Sequence, residues 1–420
     1  MKKLIILLVL IAFGIPSPIY AERMYTTGFE WGTITTNVDF TVIDAGFNIG
    51  TTTRSGSSSI VFDPATSQQN LSFNYTVATS SIQYARVYFR FSTFPSTDTT
   101  IMLFTTSGGT AICLIDFDAA NLTLELYKGN ATQVGSDSAT LSLNTWYQVE
   151  LKCQDNGTTS GLPLEAQLDG TSFASGTNVV TGSITSMRIG TYIEIPTMYM
   201  YIDDVAINGA GGSVQNSWPG TGKIVHILPS AAGDNAPTLG TFNLIDELPP
   251  DDATSFIDLD AATTIADFNA SSTSQVGINS SDTISLVEIR VRIREESAAA
   301  TLYQLRIKSA SGGTLATTTS TDVGGTTWQT NPVSSTAFRK KLVSYIDPTT
   351  GIAWTPTGTN SIDNMQIGVA SLSTNDIDVS TLVAVVEYVE GVTPDGGTTS
   401  SPMCLINDGL FILNGRLIIP

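Results

Sequence analysis

The sequence predicts an all-β protein built from two β-sandwiches and a short carboxy-terminal β-hairpin, and three observations predict it. Apolar residues recur at every second position through most of the chain, the period of a half-buried strand rather than of a helix. Short runs of that kind are separated by turn residues such as Ser107-Gly108-Gly109, Lys128-Gly129-Asn130 and Asp155-Asn156-Gly157. Only 14% of the 420 residues are charged while 41% are apolar, so cores can be filled and disorder is disfavoured.

The amino terminus reads as a secretory signal over residues 1–21. Lys2 and Lys3 supply a positive start, Leu4 to Phe13 an apolar stretch, and Ile19-Tyr20-Ala21 a small-residue cleavage site, so the mature chain is expected to begin at Glu22 and to be extracellular. The apolar run breaks at Gly14-Ile15-Pro16, short of the roughly 20 residues a membrane-spanning helix needs. Loss of Lys2 and Lys3 takes the basic count from 19 to 17 against 38 acids, so the formal charge moves from −19 to −21. A polyanion of this kind excludes nucleic acid as an expected partner.

In residues 22–208, Tyr84 to Phe91 alternate Val87, Phe89 and Phe91 with Arg86, Tyr88 and Arg90. Further strands are expected at Ile101 to Phe104, Ala111 to Phe117, Leu122 to Tyr127 and Trp146 to Cys153, with Trp146 in the core. Cys113 and Cys153 sit at apolar-phase positions, where they can form a disulfide between neighbouring strands or remain buried thiols. A boundary falls at Gly209-Ala210-Gly211-Gly212, and residues 209–223 read as a linker. The second sandwich, residues 224–390, is expected to use Ile284 to Ile293, Leu302 to Ile307, Met365 to Ala370 and Leu382 to Val389 as strands. A polar linker, 391–402, leads to the hairpin of residues 403–420, which turns at Asn414-Gly415.

Four segments of the first sandwich carry a family likeness: Gly28-Phe29-Glu30, the Arg54-Ser55-Gly56 turn, the strand from Trp146 to Leu151, and the closing Met200-Tyr201-Ile202-Asp203-Asp204-Val205. Together they resemble the laminin-G-like and concanavalin-like jelly rolls of secreted and virion-surface proteins. The second sandwich resembles a domain of tailed-phage and related virion structural proteins of environmental origin. That likeness rests on Asn243 to Ile257, Asp347 to Thr355 and Gln366 to Val369. The resemblance to jelly rolls implies a structural calcium site at Glu30 and Asp204, since calcium needs several hard oxygen ligands.

No catalytic residues are assigned from the sequence. His226 is the sole histidine, which excludes multi-histidine zinc sites, and no paired-glutamate string of a retaining glycosidase occurs. Tyr192, Tyr199 and Tyr201 are the candidate glycan-stacking residues. Arg290, Arg292 and Arg294 alternate with Ile289, Val291 and Ile293 as a cationic stripe, a grip for acidic glycan or a set of partners for carboxylates such as Glu387. The expectation is a non-catalytic extracellular or virion-surface adhesion protein that binds glycan through its first sandwich and whose hairpin docks either to another chain, giving self-assembly, or back onto its own second sandwich. The alternatives are a secreted polysaccharide-degrading enzyme and a phage tail or decoration protein.

Overall fold

The computed structural model describes residues 23–32, 42–43, 47–64, 68–74, 82–129, 132–154, 161–178, 182–192, 194–260, 263–297, 301–330, 341–391, 404–406, 410–413 and 416–418. The signal expected over residues 1–21 lies outside them. No helix among the described residues is long and apolar enough to cross a membrane.

Two antiparallel sheets form the first sandwich. The eight-stranded one runs, in spatial order, Thr171–Asn178, Leu162–Leu168, Tyr147–Gln154, Ile82–Thr93, Tyr199–Gly209, Ser59–Phe62 and Asn48–Gly50, with Arg23–Thr27 also pairing to Tyr199–Gly209. The seven-stranded one runs Thr132–Val134, Thr123–Lys128, Ala111–Asp118, Thr99–Thr105, Ser186–Gly190, Asn70–Asn74 and Val42–Ile43. Between them lies a core that includes Phe62, Phe73, Phe89, Phe91, Phe104 and Phe117. The Cys113–Cys153 disulfide crosses this core from one sheet to the other, which settles the open pairing. Trp146 departs from expectation: it precedes its strand and is half-buried, because the core positions begin only at Val149.

The second sandwich has two six-stranded sheets. One orders Lys223–Ile227, Ile377–Val389, Thr283–Glu295 and Gln329–Thr330, with Ile257–Leu259 and Leu342–Ser344 paired at its flanks. The other orders Pro229–Ala232, Ile265–Ala270, Gln366–Ser371, Leu302–Lys308 and Ala316–Thr317, with Thr321–Asp322 beside Leu302–Lys308. A separate core that includes Ile289, Val291, Leu305, Val369 and Val386 fills the space between them.

Polar contacts bury the junction between the two sandwiches. Glu387 accepts from Arg23 at 2.5 Å and from Arg86 at 2.7 Å, and both pairs are almost fully buried. Lys341 donates to Glu288 at 2.8 Å and to the Met24 carbonyl at 3.2 Å, while Arg290 reaches both Glu288 and the Thr26 carbonyl. Trp31 leaves the first sandwich to pack on Val383, Leu228 and Leu248 of the second. The described residues up to Glu390 therefore form one compact unit. The segment expected as a linker is held against the first sandwich: Gly220 N–H donates to Glu150, Arg86 donates to the Gly220 carbonyl, and Arg54 donates to the Gly222 carbonyl.

The carboxy-terminal unit has three antiparallel strands, Cys404–Ile406, Leu410–Leu413 and Arg416–Ile418. The last two form the expected hairpin; the first adds a strand that the periodicity did not announce.

Candidate functional site

The expected metal residues converge on one turn. The closing strand Tyr199–Gly209 pairs with Ser59–Phe62 through Ile202, shifts register between Asp203 and Ala206, and then pairs with Arg23–Thr27. Asp204 sits in that bulge with φ 51°, and Phe29, just before Glu30, has φ 60°. These uncommon conformations aim Glu30, Asp203 and Asp204 at residues 54–58. Glu30 accepts from Ser57 N–H and Ser57 Oγ, both at 2.7 Å. Asp204 accepts from Arg54 at 2.5 Å and from Ser55 Oγ and Ile224 N–H, each at 2.6 Å. Asp203 accepts from the Arg54 and Ser55 amides. Gly56 is required here, because its φ is +59° and a Cβ would collide with the Glu30 carboxylate.

Burial pushes the Glu30 carboxyl up to about 7 against the Ser57 and Ser58 hydrogen bonds, and the Asp204 charge adds to the rise. Burial and then Asp204 push Asp203 up as well. The cation on this cluster is Arg54, stacked on Tyr88. Calcium at Glu30 and Asp204 has to displace Arg54 and the serine donors. The turn also borders a cleft of about 890 Å³ between the sandwiches, lined among others by Glu30, Lys223, His226, Asp246 and Glu247. His226 stands edge-on to Trp31, and burial first, then Arg290, pull its pKa well down, so its ring is neutral.

The three candidate tyrosines divide between two faces. Tyr199 and Tyr201 contact each other at 5.4 Å on the eight-stranded sheet, beneath Arg90. Tyr192 instead packs on the outer face of the seven-stranded sheet, with Tyr127, over Leu103, Ala111 and Leu114. Register builds that face. Arg188, Leu103, Leu114, Tyr127 and Gln133 are successive cross-strand partners, and Thr100, Asp116 and Glu125 form a second row. Arg188 lies over Tyr192 at 6.0 Å, and the Tyr127 hydroxyl donates to Glu125 at 2.8 Å.

Asp116 Oδ1, Glu194 Oε2 and Arg188 Nε are buried without a hydrogen-bond partner among the described residues. Burial pushes the Asp116 carboxyl up to about 7; a Thr100 hydrogen bond opposes the rise, and Glu194, Glu125 and Asp98 add to it. Sequence reasoning missed Asp116, Glu125, Arg188 and Glu194. The signal for Asp116 was present in its strand, where it holds the phase opposite to core residues Ile115 and Phe117.

The arginine stripe is paired rather than free. Arg290 binds Glu288, Arg292 binds Asp252, and Arg294 binds Asp378. Glu387, the partner suggested by sequence, binds Arg23 and Arg86 instead.

Fold and site together define an all-β protein with a polar, tyrosine-flanked sheet face on its first sandwich. No family model matches the chain, and no curated protein matches it. Among solved structures, it is similar to a Trypanosoma rangeli sialidase in complex with the inhibitor DANA at 14% identity, TM-score 0.32, over 44% of this chain and 30% of that one. Domain 4 of AbnA, a GH43 extracellular arabinanase from Geobacillus stearothermophilus, in complex with arabinotriose, matches at 16% identity, TM-score 0.32, over 45% and 92%. Alginate lyase AlgAT5 of polysaccharide lyase family 7 matches at 11% identity, TM-score 0.31, over 45% and 94%. The chain thus spans under a third of the sialidase, and at this degree of likeness its function is read from its own residues.

Proposed function

We propose that the protein binds glycan on the outer face of its seven-stranded sheet. The observation that carries this reading is the set of unpartnered buried polar atoms on Asp116, Glu194 and Arg188 beside the rings of Tyr127 and Tyr192. A buried polar atom without a partner costs about 1–3 kcal/mol, and sugar hydroxyls donate and accept the bonds these atoms lack. Tyrosine rings offer the apolar surface on which the C–H face of a pyranose stacks. The acidic carboxylates favour a neutral or amino sugar over a uronate.

Extracellular placement and a role in adhesion or on a virion surface accompany this reading as expectations of the sequence. Degradation is the second reading, favoured by one observation: Asp116, its carboxyl pushed up to about 7 chiefly by burial, lies within electrostatic reach of Glu194 and Glu125, an arrangement that can supply an acid and a base.

One screen tests both. The purified mature chain is passed over insoluble polysaccharides and assayed for retention and for release of reducing ends. Retention without release, weakened at least tenfold in Tyr192→Ala and Arg188→Ala but unchanged in Tyr199→Ala, is the expected result. Release that Asp116→Asn or Glu194→Gln abolishes while retention persists selects the enzyme. Equal retention of wild type and both face variants defeats the site.

A further inference from the structure

A second carboxylate cluster lies on the other sandwich, remote in sequence from the sheet face. Asp258, in Ile257–Leu259, is the direct cross-strand partner of Asp378, and Asp378 is in turn the partner of Arg294 on the other side. Like charges directly opposite on paired strands are destabilising. Glu296 follows the strand Thr283–Glu295, and its amide donates to the Asp376 carbonyl. One carboxylate oxygen each from Asp258, Glu296 and Asp378 lies within 4.8 Å of the others. Two oxygens bound about 2.4 Å from one calcium ion can be at most about 4.8 Å apart, so the spacing suits a shared ion.

The second observation is independent of the clustering. Asp378 is fully buried; its Oδ2 accepts from Arg294 at 2.8 Å, but its Oδ1 has no partner among the described residues, and neither does Asp258 Oδ1. Arg294 cannot close the gap. Its guanidinium is turned over Trp328 at 4.6 Å and Phe256 at 5.4 Å, and Asp260 and Asp376 act on the same cluster. Among the described residues, Arg294 is the cation paired with this cluster, and Asp260 and Asp376 add to its negative charge. The chemistry that satisfies orphaned carboxylate oxygens in an all-oxygen cluster is a hard divalent cation.

We propose that Asp258, Glu296 and Asp378 bind a divalent cation, calcium by preference, clamping the strands Ile257–Leu259, Thr283–Glu295 and Ile377–Val389 at one end of their sheet. This site is distinct from Glu30 and Asp204, and its existence does not depend on glycan binding.

The test uses the full mature chain with calcium alone as ligand, and terbium as an optical probe. Calcium should raise the melting temperature of the wild type, because a ligand that binds only the folded state stabilises it by mass action. The shift should vanish in Asp378→Asn, and calcium affinity should fall at least tenfold in Glu296→Gln. Both effects should be absent from Asp204→Ala and Glu125→Gln, which report on the other acidic clusters. Terbium emission excited through tryptophan should drop in Trp328→Phe. If Asp378→Asn does not fold, the surface variant Glu296→Gln decides alone. A wild type indifferent to millimolar calcium, or a calcium shift retained in Glu296→Gln and lost in Asp204→Ala, overturns the proposal; the latter result moves the ion to the turn of residues 54–58.

Discussion

Glu30 shows how a single buried carboxyl ties the stability of the first sandwich to pH. Its folded pKa, about 7, stands above the ordinary value of 4.5, chiefly through burial. A raised carboxyl means that the folded state holds the proton more tightly than the unfolded state. Its favourable contribution is therefore complete below about pH 4.5 and is lost as pH rises through about 7, a change of at most roughly 3 kcal/mol. Asp116, pushed up to about 7 from 3.8, acts in the same direction. Glu288 acts oppositely: burial raises it, but Arg290 and Lys341 prevail and hold it down at about 2, so its contribution is lost only as pH falls through that range. Stability should peak in mildly acidic solution and decline toward pH 8. In a series of chemical denaturation curves, Glu30→Gln should flatten the decline between pH 4.5 and 7; an unchanged slope would exclude Glu30 as its source.

At the scale of elements, strands with both faces covered escape the simple alternation. Ile82–Thr93 puts Val87, Phe89 and Phe91 in the core as its pattern implies, yet Arg86 on the opposite face is also fully buried. The cover is the 217–222 segment and Glu387, neither adjacent to it in sequence. Period two reports which residues share a face, but not what lies against the second face. The carboxy-terminal strands pose the converse problem, since a sheet this small needs a partner for its edges or faces to be stable in water. We expect it to mediate self-association, so deleting residues 403–420 should convert an oligomer into a folded monomer by light scattering. A full-length protein that is monomeric at high concentration removes that role.

For the molecule as a whole, the buried ion pairs at the junction make the two sandwiches interdependent. Glu387 serves arginines from two strands of the first sandwich, and removing one partner of a buried pair strands an uncompensated charge at a cost of about 3–5 kcal/mol. Glu387→Ala should lower the urea stability of both sandwiches by an amount of that order, within one cooperative transition. A variant in which only the second sandwich is weakened would mean that the junction does not couple them. Proteolysis should likewise spare residues 217–222 until unfolding, because their backbone groups are bonded to Arg54, Arg86, Glu150 and Asn208.

The sequence by itself determined the all-β class and most of the main strands, because these depend on local periodicity within single segments, whereas the pairing of Glu30 with Asp204 was implied only by the resemblance to jelly rolls. Tertiary structure alone decided that Tyr192 stands apart from Tyr199 and Tyr201, although nine residues or fewer separate them: the chain crosses from the margin of one sheet into the other between them. It alone decided that Asp116 shares a face with Arg188, that Asp258 opposes Asp378, and that Glu387 neutralises Arg23 and Arg86. Each of these pairings joins strands far apart in sequence. Their register is set by which apolar faces must be buried together, a condition that no single segment contains.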